Sequence, residues 1–151
     1  MEPVITLNEG GIIEALKKRY KSPEYAFLPQ VRNQTGYGSV TRTADGIAMS
    51  LWPSRGLTLT GFEIKCRRGD WLSELKNPEK SAEIQRYCDY WYVVCPAPVC
   101  GFCVIPPEDV PTTWGLMYVD VKTGVKIVKM APQLEVEPIS KKFLAAILRG
   151  V

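Results

Sequence analysis

The sequence predicts an α/β (α+β) fold in which helices and strands are mixed along one domain, residues 1–151. Residues 9–21 and 140–150 carry apolar side chains at helical spacing, as helices packed on one face do. Other segments alternate apolar and polar residues, which is typical of strands with one buried face. Residues 90–96, YWYVVCP, are continuously apolar and so predict a strand buried on both faces of a sheet.

The N-terminal part is predicted to contain one helix, one strand and a loop. Asn8 can cap a helix over about residues 9–21, whose last turn is basic. A short strand follows in YAFLPQVRN, residues 25–33. The polar, glycine-bearing segment from residue 33 to residue 40 predicts a loop.

The middle of the chain is predicted to form a hairpin, followed by two helical segments. One strand runs from Asp45 to Trp52, PSRG supplies the turn, and the second strand lies within residues 56–66. Residues 69–77 predict a short helical turn. A helix then begins at Pro78 and runs to about Asp89, since proline is tolerated in the first turn.

The C-terminal part is predicted to contain a loop, a hairpin and a helix after the buried strand. The proline-rich residues 96–111 predict a loop with at most one short strand, and residues 115–132 predict a hairpin that turns at 122–124. Ser140 can cap the last helix, and Gly150 can end it.

Composition fits a single globular domain, since 46% of the 151 residues are hydrophobic and 23% are charged. The formal charge of +3 permits an anionic partner without requiring one. No apolar run approaches the roughly 18 residues that a transmembrane helix needs, and the first ten residues lack a signal-peptide pattern. We therefore expect an intracellular protein with no membrane partner.

The residue inventory restricts the chemistry. Histidine is absent, which excludes Ser-His and Cys-His nucleophilic catalysis and every histidine-dependent metal site. Five cysteines without an export signal indicate reduced thiols. Any reaction must therefore use carboxylates, lysine, tyrosine, cysteine, or a metal ion held by oxygen or sulfur.

The segment GFEIKC, residues 61–66, places two charges inside an apolar strand. Alternation directs Glu63 and Lys65 to one face, while Phe62 and Ile64 point to the other. An unpaired carboxylate buried there would cost several kcal/mol or would shift its pKa. Glu63 and Lys65 could face solvent or form a structural ion pair. Alternatively, hairpin pairing brings Asp45 close to Glu63, and two carboxylates without histidine favour Mg²⁺ or Mn²⁺.

Asp45 followed by Glu63-Ile64-Lys65, after an acidic first helix, resembles the PD-(D/E)xK nuclease superfamily. Residues from about 32 to 119 are similar to a small group of phage and bacterial proteins assigned to it. The resemblance implies a mixed central β-sheet flanked by helices with a restriction-endonuclease-like core. It also implies hydrolysis of DNA phosphodiester bonds with Mg²⁺ (or Mn²⁺), in a bacterial cytoplasm or a phage-infected cell.

The resemblance further implies roles for the motif residues. Asp45 and Glu63 would be metal ligands, together with the backbone carbonyl of Ile64. Lys65 would orient or help deprotonate the attacking water and offset charge in the transition state. A homodimer is one expected arrangement, because many enzymes that cut both strands pair two active sites. Two alternatives stay open: a catalytically inactive nuclease-like module that binds nucleic acid, and a structural or assembly protein.

Two auxiliary site residues are inferred from the same resemblance. Members of the superfamily often add an acidic residue from the first helix, for which Glu9, Glu14 and Glu24 are candidates and the mid-helix Glu14 is preferred. Some branches carry a glutamine followed four residues later by tyrosine. Gln85 fits the first position, but Asp89 occupies the second. Each could instead be ordinary helix surface.

Basic residues after the motif are candidates for contact with DNA. Arg67 and Arg68 follow the charged strand directly, and Lys80 begins the next predicted helix. Each could bind a phosphate, although solvated surface is the commoner role of such residues. Trp71 could stack on an unpaired base but is more typical of a core residue.

Four cysteines, Cys88, Cys95, Cys100 and Cys103, fall within sixteen residues. Four thiolates can hold tetrahedral Zn²⁺, and residues 100–103 form a CxxC motif. A second CxxC is missing from the sequence, and buried cysteine commonly behaves as a small hydrophobic residue. A core role is therefore favoured over a zinc site.

Overall fold

A six-stranded mixed β-sheet forms the centre of the protein. The computed structural model describes residues 7–32, 43–98 and 102–150. The strands follow chain order across the sheet: β1 (Tyr25–Arg32), β2 (Thr43–Ser50), β3 (Leu59–Ile64), β4 (Tyr90–Pro96), β5 (Gly115–Asp120) and β6 (Gly124–Lys129). β4 pairs in parallel with β3 and β5, and the remaining neighbours are antiparallel.

Helices cover both faces of this sheet. The described residues contain four α-helices: α1 (Glu9–Arg19), α2 (Arg68–Lys76), α3 (Ala82–Gln85) and α4 (Lys141–Arg149). Short 3-10 helices occupy Pro53–Arg55, Pro78–Ser81 and Pro107–Asp109. The predicted fold class, α/β (α+β) with a mixed central sheet flanked by helices, is therefore confirmed.

Helix α1 packs on one face of the sheet. The side-chain oxygen of Asn8 accepts a hydrogen bond from the Gly11 N–H at 2.8 Å, which caps the helix as predicted. Ile12 and Leu16 are fully buried, in one cluster with Phe62 and other residues on that face of the sheet. The face that carries Phe62 is therefore closed by α1.

The opposite face is closed by the connections that follow β3 and β4, together with α4. Trp71 of α2, Ile84 of α3 and Phe143 of α4 are buried in one cluster with Trp91 and Val93 of the central strand. This is the face toward which Glu63 points, so α2 lies over the charged part of β3. The prediction that Trp71 is a core residue is confirmed.

Two predicted helical segments have different extents in the structure. Residues 68–76 form a nine-residue helix rather than a single turn. The predicted helix from Pro78 to about Asp89 is wrong in its second half, since α3 ends at Gln85. The reason is Asp89, whose N–H donates to the Leu59 carbonyl at 2.8 Å while its carboxylate accepts from the Leu59 N–H at 2.8 Å. This pairing draws the chain into the sheet.

The predicted loop at residues 33–40 lies outside the described residues. Within the part of the chain that the structure covers, no helix has the length and apolar character needed to cross a bilayer.

Gly61 allows β3 to lie directly against a tryptophan of β4. A Cβ at this position would lie 2.3 Å from Cζ3 of Trp91 and 3.0 Å from Sγ of Cys88. Both neighbours are fully buried, so neither has free space to move into. The strand that carries Glu63 therefore requires glycine here.

We expect Gly61→Ala to lower the free energy of unfolding by about 1–3 kcal/mol, since the added methyl group overpacks a rigid contact. Urea denaturation measures the effect. Gly69→Ala is the matched control, because Gly69 is an exposed residue of α2 with nothing within 4 Å of its would-be Cβ. It should leave stability unchanged or raise it by up to about 1 kcal/mol. Equal effects of the two substitutions would contradict this account of position 61.

Candidate functional site

Strands β2 and β3 stop pairing through their backbones near the C-terminal end of β3. Their register runs from Met49 opposite Leu59 to Gly46 opposite Phe62. Two residues beyond Phe62, the Ile64 N–H donates to the Asp45 carboxylate, with N and Oδ2 2.7 Å apart. The side chain of Asp45 thus takes the place of a backbone acceptor, and its carboxylate lies beside the end of β3.

Glu63 is the residue that this arrangement brings next to Asp45. Extending the β2–β3 register by one residue sets Asp45 opposite Glu63. The Glu63 side chain is only 16% exposed. Burial and the nearby Asp45 charge raise the pKa of Glu63 to about 8, against the opposing effect of Lys65. Burial likewise raises the pKa of Asp45 to about 6, although the Ile64 N–H opposes this shift.

Lys65 supplies a positive charge beside this carboxylate pair. Its Nζ lies 3.2 Å from Oε1 of Glu63 and 3.6 Å from Oε2 of Glu74. Burial disfavours the ammonium, but Glu63 and Glu74 together outweigh this effect and raise the pKa of Lys65. The lysine is therefore held as a cation between two carboxylates that come from different elements.

Glu74 is a member of this group that sequence reasoning missed. It lies on α2, is 6% exposed, and accepts a hydrogen bond from the Ser81 hydroxyl at 3.2 Å. A signal for its burial is present in the sequence, because Trp71, Glu74 and Leu75 have the spacing of one helix face. A glutamate on the buried face of a helix needs a partner, and Lys65 is that partner.

The three candidate glutamates near the N-terminus differ in their contacts, and the preferred Glu14 is not the one found near the site. The Glu14 side chain is 68% exposed and pairs along the helix with Lys17 at 3.5 Å, so the structure does not bring it into the site. Glu24 pairs with Arg55 at 3.2 Å. Glu9 instead accepts a hydrogen bond from Nε2 of Gln30 at 3.0 Å.

Glu9 and Gln30 lie near Asp45. The charge of Glu9 contributes to the raised pKa of Asp45, and a side-chain hydrogen bond from Gln30 opposes it. Gln30 has a φ of +54°, a left-handed conformation that non-glycine residues seldom adopt, and it lies where β1 and β2 lose regular pairing. The acidic residue that α1 contributes near Asp45 is therefore Glu9, at its first position.

The predicted DNA-contacting residues divide into two groups. Arg68 serves the fold, because Nη1 donates to the Val104 carbonyl at 2.9 Å and Nη2 lies 3.3 Å from the Asp109 carboxylate. Arg67 is exposed just before α2. Lys80 is exposed on the 3-10 helix before α3.

Gln85 is half-buried at the end of α3. Among the contacts of the described residues, none joins its side chain to Asp45, Glu63 or Lys65. The tyrosine position of the glutamine–tyrosine pattern is taken by Asp89, which binds the backbone of Leu59. A role for Gln85 stays a prediction.

The cysteines of the described residues lie in or beside the core. Cys88 and Cys95 are fully buried in the cluster beneath α2 and α3, where burial raises the pKa of each thiol to about 12. Cys103 Sγ lies 3.2 Å from the Tyr118 hydroxyl. Cys100 falls outside the described residues. For Cys88 and Cys95 the core interpretation agrees with this burial.

The donor set around Asp45 suits a hard divalent cation. It consists of two carboxylates whose pKa values are raised, chiefly by burial, although Lys65 opposes both shifts. The carbonyl of Ile64 belongs to the same strand end. Residues 7–32, 43–98 and 102–150 contain no cluster of three or more Asp, Glu, Cys or His side chains that could hold a metal ion. Any ion here would therefore need backbone or water oxygens as well.

Comparisons with known proteins bear on the fold alone. No family model matches the chain, and no curated protein is significantly similar to it. A solved structure of the SPO1766 protein of unknown function from Silicibacter pomeroyi is similar, with a TM-score of 0.60 and 19% sequence identity. The match covers 96% of this chain and 90% of that one, so the two proteins have a similar fold over most of their length. The nuclease superfamily resemblance stays a prediction.

The metal-free protein should lose stability as the pH rises toward 8. Glu63 has a pKa of about 8 in the folded protein and the usual value of 4.5 when unfolded. Between these values the folded state binds more protons, so the free energy of unfolding falls as the pH increases. Glu63→Gln should remove much of this fall, and its melting temperature should exceed that of the parent at pH 8 but not at pH 4.5.

Thermal unfolding in the presence of a chelator, at several values from pH 4.5 to 8.5, tests this expectation. Glu14→Gln removes an exposed glutamate and should follow the parent at every pH. If the Glu63→Gln and parent curves run parallel across the whole range, the raised pKa of Glu63 is wrong.

Proposed function

We propose that this protein is a Mg²⁺-dependent deoxyribonuclease that hydrolyses phosphodiester bonds of DNA in phage or bacterial DNA metabolism. One observation carries the proposal: the Asp45 carboxylate, held by the Ile64 N–H at 2.7 Å, lies beside Glu63, which contacts the Lys65 ammonium at 3.2 Å. Two acids and a lysine at one strand end fit metal-assisted hydrolysis without histidine. The fold class agrees with the proposal but does not distinguish it from other functions.

In this proposal Asp45, Glu63 and the Ile64 carbonyl would hold Mg²⁺ or Mn²⁺. A divalent ion at this position supplies a water of lowered pKa and neutralises negative charge on the phosphate. Lys65 contributes a fixed positive charge on the Glu63 side of the group. Because Glu63 and Glu74 favour its charged form, Lys65 acts as a cation that orients water and offsets transition-state charge, rather than as the base.

The basic side chains near this strand end differ in their suitability for DNA. Arg67 is exposed and follows Lys65 by two residues, so it can reach a phosphate that approaches the carboxylates. Lys80 is exposed on the 3-10 helix that follows α2. Arg68 already binds Val104 and Asp109, and we assign it to the fold rather than to DNA. Homodimer formation stays a prediction.

A second candidate function is nucleic-acid binding without cleavage. The observation that favours it is the low exposure of the central pair, 16% for Glu63 and 15% for Lys65, which is compatible with a charge-balanced structural group. The two functions differ in one measurable property. Only the nuclease requires Asp45 to cooperate with Glu63 in binding a cation.

A cleavage assay with linear, circular and single-stranded DNA tests the nuclease. The parent should cut with Mg²⁺ or Mn²⁺ and should be inactive with a chelator. Asp45→Asn, Glu63→Gln and Lys65→Met should each lower the cleavage rate by about 100-fold or more, because each removes charge at the reacting centre. Calorimetric titration should show that the first two variants also lose Mn²⁺ affinity.

Glu14→Gln is the matched control for these substitutions, since the Glu14 carboxylate is exposed and pairs with Lys17 rather than with a site residue. It should retain parent activity. If the parent protein binds DNA but does not cut it with any tested cation, the nuclease proposal is wrong and the binding module is supported. Neither binding nor cutting would leave the structural role.

Replacing the two adjacent arginines should affect different properties of the protein. Arg67→Ala should weaken DNA binding and reduce the slope of log affinity against log salt by about 1, with unchanged stability. Arg68→Ala should lower the free energy of unfolding by roughly 0.5–1.5 kcal/mol, since it removes the bonds to residues 104 and 109. Fluorescence anisotropy at several salt concentrations and urea denaturation measure the two effects.

Arg55→Ala is the control for Arg67. Arg55 is exposed on the turn that joins β2 to β3, at the opposite end of these strands from Asp45 and Glu63. Its replacement should leave DNA binding unchanged. Equal losses of affinity for Arg55→Ala and Arg67→Ala would mean that DNA affinity depends on the net charge of the protein and not on the position of Arg67.

A further inference from the structure

The Lys65 ammonium lies between carboxylates that have different supports. Glu63 is on the same strand as Lys65, and its Oε1 is 3.2 Å from Nζ. Glu74 comes from α2, and its Oε2 is 3.6 Å from Nζ. A lysine side chain has four rotatable bonds, so a single contact would fix its position poorly. Contacts from two elements restrict the ammonium to one place.

Glu74 is itself held in place from its second oxygen. The Ser81 hydroxyl donates to Oε1 at 3.2 Å, leaving Oε2 for Lys65. Glu74 and Ser81 are both 6% exposed. The buried Trp71 on the same helix fixes α2 against the sheet. Ser81, Glu74 and Lys65 thus form a chain of contacts from the 3-10 helix through α2 to the end of β3.

We propose that Glu74, oriented by Ser81, is a positioning residue that holds the Lys65 ammonium beside Glu63 for the proposed hydrolysis. This inference rests on the proposed nuclease function and extends it to residues outside the Asp45, Glu63 and Lys65 motif. Glu74 does not touch the reacting atoms, and it acts through Lys65.

The geometry explains why a second carboxylate is needed. In the proposed site Glu63 would be a metal ligand, so its carboxylate would be divided between that ion and Lys65. Glu74 contacts Lys65 and Ser81 among the described residues, and its place on α2 does not depend on the ion. The contact from Glu74 would therefore hold the lysine in place with Glu63 acting as a metal ligand. Support of this kind, from residues behind the reacting groups, maintains the geometry on which rate depends.

The test combines steady-state cleavage by the full chain with Mn²⁺ titration. Glu74→Gln keeps the shape and the acceptor for Ser81 but removes the charge that holds Lys65. We expect kcat to fall by roughly ten- to a hundredfold, the range for a misplaced catalytic group, with unchanged KM for DNA and unchanged Mn²⁺ affinity. Ser81→Ala should lower kcat in the same way but less. Glu83→Gln is the matched control, because Glu83 is a partly exposed glutamate of α3 that pairs with Arg86, and it should leave kcat, KM and Mn²⁺ affinity unchanged.

A second measurement does not need activity. The free energies of unfolding of Glu74→Gln, Lys65→Met and the double variant form a cycle, and a positioning contact predicts that the two effects are not additive. Folded Glu74→Gln protein with parent kcat, or additive effects in the cycle, would overturn the inference. A loss of Mn²⁺ affinity in Glu74→Gln would also overturn it, because Glu74 would then be a ligand.

Failure of the nuclease proposal is distinguishable from failure of this inference. A parent protein that cuts no DNA overturns the nuclease, and with it any catalytic role for Glu74. A parent that cuts DNA while Glu74→Gln cuts equally well overturns the role of Glu74 alone.

Discussion

The concentration of negative charge at the end of β3 is the constraint on which the rest of the site depends. Asp45 and Glu63 lie side by side where the backbone pairing of β2 and β3 stops, and both have raised pKa values. Burial separates these acids from bulk water, so their repulsion is weakly screened. Lys65 offsets part of this charge, and Glu74 then adds a negative charge of its own. The raised pKa values mean that Asp45 and Glu63 bind protons more readily than isolated carboxylates do.

This arrangement contains more acidic groups than a simple structural ion pair. A structural pair of Glu63 and Lys65 would be complete with one carboxylate and one ammonium, and buried pairs of that kind contribute little net stability. The described structure adds Asp45 on one side and Glu74 on the other. Asp45, Glu63 and Glu74 all act electrostatically on Lys65, and the pKa values of Asp45 and Glu63 are raised. Acids with perturbed pKa values are commonly found at functional sites.

Much of the architecture could be predicted from the sequence, because it depends on local patterns. Alternation along β3 correctly separates Glu63 from Phe62, and the side chains of Asn8 and Ser140 cap the helices as expected. Glu74, Gln30 and Arg68 could not be assigned in this way, since their partners lie on other elements of the chain. The early end of α3 was missed for the same reason. Asp89 binds Leu59, which lies thirty residues earlier in the chain, and helix propensity does not depend on such a distant contact.

The double hydrogen bond between Asp89 and Leu59 has a consequence for how the molecule can move. It ties the beginnings of β3 and β4 together, at the opposite end of β3 from the carboxylates. Further along, the Lys65 N–H donates to the Val94 carbonyl at 2.9 Å, so β3 is anchored to its parallel neighbour at both ends. We therefore expect β3 and β4 to move together as one unit. Relative motion between Asp45 and Glu63 would then come from β2, and not from a separation of β3 from β4.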